Sequence, residues 1–132
     1  MECENERMNA ASPPHLAERT KAFAVRVIRL VNSLPRNRAA DVIGRQLLRS
    51  ATSVGANYRA ARRARSRREF CAKLGIAEEE ADESVYWLEL LLESAAFEAK
   101  LLNPLLREAN EIVAMIVASI RTARKKQEGK SR

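Results

Sequence analysis

The chain has 132 residues, of which 46% are hydrophobic, so it is long enough to bury one core and short for two domains. Its formal net charge is +7, and its two cysteines and single histidine are too few for a disulfide framework or a histidine-rich metal centre. The longest apolar run, residues 112–120, is far shorter than the ~20 residues that span a bilayer, and the first residues are not those of a signal peptide. We therefore expect a cytoplasmic protein that is not inserted in a membrane.

The first predicted helix runs from about His15 to Ser33. Its apolar side chains recur with the alternating spacing of three and four residues that is typical of an amphipathic helix. Thr20 takes the place of one apolar residue in this series, and Pro35 ends the helix. The apolar positions are Leu16, Phe23, Val27, Leu30 and Leu34.

The second predicted helix runs from about Arg36 to Arg65. Ala51 and Gly55 lie one turn apart on it, which would let another helix approach closely. No glycine-rich loop surrounds Gly55, so a packing role is favoured over phosphate binding. The inward-facing stripe is Ile43, Leu47, Ser50, Val54, Tyr58 and Ala61.

The third and fourth helices have recognisable start signals. Ser66 followed by Glu69 is a capping box, which predicts that the third helix begins there and turns back on the second. Asn103 and Pro104 predict an N-cap and a first-turn proline for the fourth helix. The third stripe is Phe70, Leu74, Ala77, Ala81, Val85, Leu88 and Leu92, and the fourth is Leu105, Ala109, Ile112, Ile116 and Ile120.

Four amphipathic segments with short connections, and no alternating stretch, predict an all-α, antiparallel up-down-up-down four-helix bundle. We divide the chain into a flexible leader (1–14), the bundle (15–122) and a basic, disordered tail (123–132).

The third and fourth helices have more apolar surface than one core seam requires. A thick core would explain this excess, but we favour self-association through it. The predicted oligomer interface consists of Trp87, Leu90, Leu91, Leu106, Val113 and Val117.

The residue pattern offers no catalytic site. His15 is the only histidine and lies at a helix start, so it has no partners for a triad or a metal centre. The acid block of residues 78–83 could suggest a di-iron bundle, but no Glu-x-x-His motif accompanies it, and a solvated or ion-paired face is favoured. Hairpin geometry places Glu79, Asp82 and Glu83 nearer to Arg45 and Arg49 than to the arginines at the turn, where Glu69 is the only close acid. We predict no enzymatic activity, no cofactor and no metal.

The positive charge is concentrated in two segments. Residues 59–68 carry +6 and residues 121–132 carry +5, so the rest of the chain carries −4. Arginine matches phosphate oxygens in bidentate fashion, which predicts RNA or DNA binding through the backbone. The alternative is a scaffold in which these charges pair with acids of a neighbouring subunit or a protein partner. The predicted nucleic-acid-binding residues are Arg59, Arg62, Arg63, Arg65, Arg67, Arg68, Arg124, Lys125 and Lys126.

Three short motifs carry a resemblance to a known family. They are Gln46 to Asn57 (QLLRSATSVGAN), Ser66 to Phe70 (SRREF) and Leu74 to Ala77 (LGIA). With them, residues 16–120 resemble the bacterial family of 23S rRNA intervening sequence proteins. The chain departs from many members at residues 57–61 (NYRAA) and at residues 79–81 (EEA). It is similar to a subgroup that carries NYRAA, RARS (residues 63–66 here) and YWLEL (residues 86–90 here).

The resemblance implies antiparallel four-helix protomers that assemble into ring-shaped homopentamers. The family includes the accessory variability proteins of diversity-generating retroelements, whose basic barrels bind nucleic acid and a reverse transcriptase. For this chain, the resemblance therefore implies a pentamer interface on the third and fourth helices, while a shared fold does not by itself define a function.

Overall fold

The computed structural model describes residues 15–131, without the side chains of residues 127, 128, 130 and 131. The described part is all-helical, has no strand, and consists of α1 (Leu16–Ser33), α2 (Arg38–Arg62), α3 (Arg67–Glu93) and α4 (Ala99–Ser131). The predicted leader, residues 1–14, lies outside the described residues.

Side-chain caps define the first turns of α2 and α3. The Asn37 side chain accepts a hydrogen bond from the Ala40 amide at 2.9 Å, so α2 begins slightly later than predicted. The Ser66 hydroxyl accepts from the Glu69 amide at 3.1 Å, which confirms the predicted start of α3. The Glu69 carboxylate accepts from the Arg65 amide instead of the Ser66 amide, so it stabilises the turn one residue further out than a standard capping box does.

Two predictions for α4 are wrong. The helix begins at Ala99, so Pro104 lies inside it instead of in its first turn. The start was misplaced because Leu102 belongs to the buried face, and the helix must include it even though Pro104 cannot donate a backbone hydrogen bond. The tail predicted to be disordered continues α4 as far as Ser131.

The helices pack around one core. α1 lies against α2 and α4, while α3 lies against α2 and α4. Burying this many aliphatic and aromatic side chains provides most of the stabilisation, at roughly 25 cal/mol per Å² of apolar surface. The largest fully buried side chains are Phe23, Phe70, Leu16, Leu47, Leu74, Leu88, Leu91, Leu102, Ile112, Ile116 and Val27.

Small side chains bring α1 and α2 together as the sequence predicted. A Cβ atom at Gly55 would lie 3.3 Å from the Thr20 hydroxyl oxygen, and one at Gly44 would lie 3.2 Å from a Leu34 methyl group. The buried Thr20 hydroxyl donates a hydrogen bond to the Ala17 carbonyl of its own helix. Thr20 therefore packs directly against Gly55 of α2. This close contact explains why a threonine takes the place of a larger apolar residue in the α1 stripe.

Candidate functional site

The first basic segment lies around the turn between α2 and α3. Arg59 and Arg62 belong to the last turns of α2, Arg63 and Arg65 to the connection, and Arg68 to the first turn of α3. All five are exposed to solvent. The turn therefore presents five guanidinium groups at one end of the bundle.

Arg67 differs from the other five arginines. It is only 8% exposed, and its Nη1 atom is buried without a hydrogen-bond partner in the described structure. Its predicted role in contacting nucleic acid therefore does not fit its burial, since a phosphate in solvent cannot reach that atom. The sequence missed this because Arg67 precedes the buried Phe70 by three residues and so lies on the inner face of α3.

The second basic segment meets the first at the same end of the bundle. The half-buried Cys71 thiol has its pKa raised by burial, and the nearby positive charges of Arg124 and Arg67 oppose that rise. Arg124 on α4 is therefore close to the start of α3. Lys125 and Lys126 follow it on α4 and are exposed. The fold thus brings together two segments that are more than fifty residues apart in sequence.

The exposed arginines at the turn form no ion pair with a carboxylate among the described side chains. Elsewhere the fold does pair its cations. Arg19 on α1 contacts Glu108 and Glu111 on α4, and Arg49 on α2 contacts Glu80 and Glu83 on α3. The Arg49 contacts confirm that part of the acid block is an ion-paired face near Arg49. The cationic end is defined here as Arg59, Arg62, Arg63, Arg65, Arg68, Arg124, Lys125 and Lys126. None of these residues has such an ion pair among the described side chains, as is also the case for Arg26, Arg29, Arg36 and Arg38.

A groove between α1 and α2 opens next to the cationic end, and the sequence analysis missed it. Its volume is about 710 Å³. Four basic residues lie along it, namely Lys21 of α1, Arg59 and Arg62 of α2, and Arg63 at the end of α2. The available signal was the spacing of Ala17, Lys21 and Ala24 on α1, which is helical but contains no large apolar residue. The remaining lining residues are Ala17, Thr20, Ala24, Thr52, Gly55, Ala56 and Tyr58.

The residues predicted for an oligomer interface have different positions. Leu91 is completely buried in the core of the protomer, so its assignment to a subunit interface is wrong. Trp87, Leu106 and Val113 are partly buried and pack against that core. Leu90 and Val117 are partly exposed. Five of the six residues thus retain some accessible surface on α3 and α4.

The exposed side of α3 is acidic. Glu79, Asp82, Glu89 and Glu93 are spaced by three, seven and four residues, which places them on one face of the helix together with Tyr86. Tyr86 is 54% exposed and its ring meets the Trp87 ring edge-on, with centroids 5.0 Å apart. None of these four acids pairs with a cation in the part of the chain that the structure describes.

The remaining candidate groups are isolated. His15 is exposed and lies 3.4 Å from the Glu18 carboxylate within the same helix turn. Between residues 15 and 131, no group of three or more histidine, cysteine, aspartate or glutamate side chains is arranged to hold a metal ion. In the same residues, no helix combines the length and the apolar character that crossing a membrane requires.

The helices and the cationic end together define a small all-helical bundle with a basic surface at one end. The chain belongs to the 23S rRNA-intervening sequence protein family, whose model matches residues 15–118. A comparison with curated proteins finds no match. Among solved structures, the chain is similar to a protein of unknown function from the S23 ribosomal protein family of Bacteroides thetaiotaomicron VPI-5482. The two are 35% identical, the match covers 80% of this chain and 97% of that one, and the TM-score is 0.73.

Proposed function

We propose that this protein is a non-catalytic, cytoplasmic oligomer that binds the phosphate backbone of RNA or DNA through its cationic end. The observation that carries the proposal is the exposure of five arginines around the α2–α3 turn, none of which forms an ion pair among the described side chains. The influence of Arg124 on the Cys71 thiol adds the second basic segment to this end of the bundle. A polyanion is the partner that such a surface attracts, because neutralising its phosphates releases condensed counterions.

The position of Arg68 adds to this argument. It lies in the first turn of α3, where the helix dipole favours negative charge and disfavours a cation. Arg65 and the buried Arg67 flank the same helix terminus. Glu69 balances part of this positive charge, and a phosphate bound near Arg65 and Arg68 at the helix N-terminus would balance the rest.

The oligomer that we propose is a homopentameric ring of up-down-up-down protomers. Contacts between neighbouring helices support this order, since Gly44 approaches Val31 and Leu34 while Gly55 approaches Thr20, as expected for antiparallel α1 and α2. Leu90 and Val117 retain surface for contact with another subunit. A ring would repeat the cationic end around one axis and so multiply its electrostatic field.

Fluorescence anisotropy with labelled RNA and DNA of unrelated sequences tests the proposal. We expect binding to all of them, with log affinity falling linearly against log salt concentration. Replacing Arg62, Arg63 and Arg68 by glutamine should weaken binding at every sequence and lower the slope by about 2 to 3.

A matched control removes the same charge elsewhere. Arg26, Arg29 and Arg38 are exposed and lie outside the cationic end, so their replacement by glutamine should leave the slope nearly unchanged. Absence of binding at low salt, or an equal loss in the control variant, would disprove the proposal.

A second candidate function is a scaffold held together by charge, and the acidic face of α3 favours it. Glu79, Asp82, Glu89 and Glu93 could meet the cationic end of a neighbouring subunit or a protein partner. In that case the Arg62, Arg63 and Arg68 replacements should reduce the size of the oligomer in light scattering without involving nucleic acid.

A further inference from the structure

The groove between α1 and α2 exists because the residues along it are small. Ala17 and Ala24 on α1 face Gly55 and Ala56 on α2, and none of these side chains extends beyond a methyl group. Thr20 and Gly55 keep the two helices in close contact at its floor. A concave channel of about 710 Å³ therefore remains on the surface between two well-packed helices.

The charges along the groove are all of one sign. Lys21 contributes from α1, Arg59 and Arg62 from α2, and Arg63 from the residue after α2. The lining contains no acidic residue. The three arginines also belong to the cationic end, so groove and cationic end form one continuous positive surface. Low-dielectric walls on both sides of a channel strengthen the attraction of such charges for an anion.

We infer that this groove holds a single strand of nucleic acid by its phosphodiester backbone. The inference rests on the proposed function and specifies which form of nucleic acid the site accepts and where the strand lies. Lys21 would contact one side of the strand, while Arg59, Arg62 and Arg63 contact the other and lead it towards the turn between α2 and α3.

The dimensions favour a single strand over a duplex. The groove volume falls in the range of about 300–1,000 Å³ that is typical of small-molecule sites. We expect a short piece of one strand to fit this volume, and a duplex to contact mainly the exposed arginines of the cationic end. Tyr58 lines the groove but is only 3% exposed, so its ring offers no stacking surface. Binding should therefore depend little on base identity, because contacts to phosphate carry no sequence information.

The local charge of the groove favours a polyanion as its occupant. Its lining carries Lys21, Arg59, Arg62 and Arg63 and no acidic residue, so the basic surfaces of a second copy would be repelled from it while phosphates would be attracted. An acidic protein segment is the remaining competitor, and the experiment includes it as an outcome.

Filling the groove without changing its charge provides the sharpest test. Ala56 is exposed and lines the groove, so the full-length Ala56→Leu variant should fold while blocking the channel. Anisotropy with labelled oligothymidine and oligouridine should show affinity reduced about tenfold, which corresponds to about 1.4 kcal/mol. Affinity for a duplex of matching length, which contacts only the cationic end, should change less than twofold.

Two further variants control for folding and for general charge. Ala22→Leu makes the same change at an exposed α1 position outside the groove and should bind normally. Lys21→Gln should lower the salt slope for single strands by about 0.7, whereas Lys100→Gln, on the first turn of α4, should not.

The outcomes separate this inference from the proposed function. If no nucleic acid binds at low salt, both fail. If nucleic acid binds but Ala56→Leu and Lys21→Gln have no effect, or if the duplex is affected as much as the single strand, only the groove inference fails. If Ala56→Leu instead abolishes binding of polyglutamate or reduces the oligomer while oligonucleotides still bind, the groove belongs to an acidic protein segment and the inference is overturned.

Discussion

The hydroxyl oxygens of Ser50 on α2 and Ser84 on α3 lie 2.8 Å apart in the buried interior of the bundle. Ser50 also lies near the Leu47 carbonyl and Ser84 near the Glu80 carbonyl, so one hydroxyl can donate to the other while the second donates to the carbonyl of its own helix. The pair is a buried polar contact across the α2–α3 interface.

Removing either member of this pair should be measurable. Ser50→Ala and Ser84→Ala should each lower the free energy of unfolding by about 1 kcal/mol, because a buried hydrogen bond is lost. The double variant should cost less than the sum of the two, since both changes remove the same interaction. Urea unfolding followed by circular dichroism gives the four values, and strict additivity would show that the two hydroxyls are not coupled.

Two glycines in helices should respond differently to alanine. Nothing lies within 4 Å of a Cβ atom at Gly75, so Gly75→Ala should stabilise the protein by about 0.5 to 1 kcal/mol through helix propensity. Gly55→Ala gains the same propensity, but its Cβ would lie 3.3 Å from the Thr20 hydroxyl. We expect it to be about 1 kcal/mol less favourable than Gly75→Ala in thermal unfolding. Equal gains at both positions would contradict the close approach of α1 and α2.

The ion pairs of Arg19 should differ in strength. The contacts with Glu108 and Glu111 raise the pKa of Arg19, with Glu108 the larger contributor. The Glu108 side chain is 17% exposed and that of Glu111 is 64% exposed. Glu108→Gln should therefore cost about 1 kcal/mol and Glu111→Gln less than about 0.5 kcal/mol. Chemical denaturation at low and high salt checks this order, and the reverse order would be inconsistent with the geometry.

Replacing Arg67 should stabilise the bundle. Its buried Nη1 has no hydrogen-bond partner in the described structure, and its charge lies at the unfavourable end of the α3 dipole. Arg67→Met keeps the length of the side chain and removes the charge, so we expect a gain of about 1 kcal/mol or more. Arg68→Met changes an exposed residue and should stay within about 0.5 kcal/mol of the original stability. Destabilisation by Arg67→Met would point to a partner for this guanidinium.

The pKa of the Cys71 thiol can show whether Arg124 of α4 lies near the start of α3. Burial raises the pKa of its thiol, so the folded protein holds that proton to higher pH than the unfolded chain does. This difference in pKa contributes to the free energy of unfolding at pH values below the thiol pKa of the unfolded chain, which is about 8.5. The contribution is lost as the pH rises through the thiol pKa of the folded protein. Arg124→Gln removes a charge that favours the thiolate, and it should raise the pKa of Cys71 further.

Alkylation by iodoacetamide in a Cys3→Ser background measures this shift, since Cys71 is then the only cysteine. At pH ~8.5 the Arg124→Gln variant should react more slowly than its parent. Arg26→Gln, far from the thiol in sequence and on another helix, serves as the control and should react at the parental rate. Identical alkylation rates in all three proteins would show that Arg124 does not lie near Cys71, and that the two basic segments do not meet there.

The sequence predicted most of the fold because the apolar periodicity and the capping residues are local signals. The α1 stripe from Leu16 to Leu30, the Ser66 cap and the close approach at Gly55 are confirmed, whereas Leu34 follows the end of α1 and is only partly buried. The start of α4 was misplaced because burial of Leu102 outweighed the local signal from Asn103 and Pro104. Local patterns favour a helix start, but only the packed structure shows how far the buried face extends.

The candidate site was predicted less completely, because it depends on which side chains the fold brings together. Clustering in sequence identified the arginines at the turn but could not show that Arg67 is buried. Lys21 was missed because it lies about forty residues before Arg59 and joins it only across the α1–α2 groove. The position of Arg124 beside Cys71 likewise depends on the packing of α4 against α3.

The continuation of α4 to Ser131 changes how its basic residues can act. At 1.5 Å per residue, seven residues beyond Arg124 extend about 10 Å, slightly more than the distance from Cys71 back to Ser66 along α3. Lys125 and Lys126 therefore lie on a helix beside the α2–α3 turn. A disordered tail would lose about 1 to 2 kcal/mol of backbone conformational entropy for each residue that becomes ordered on binding a partner. A tail that is already helical before binding does not lose that entropy again.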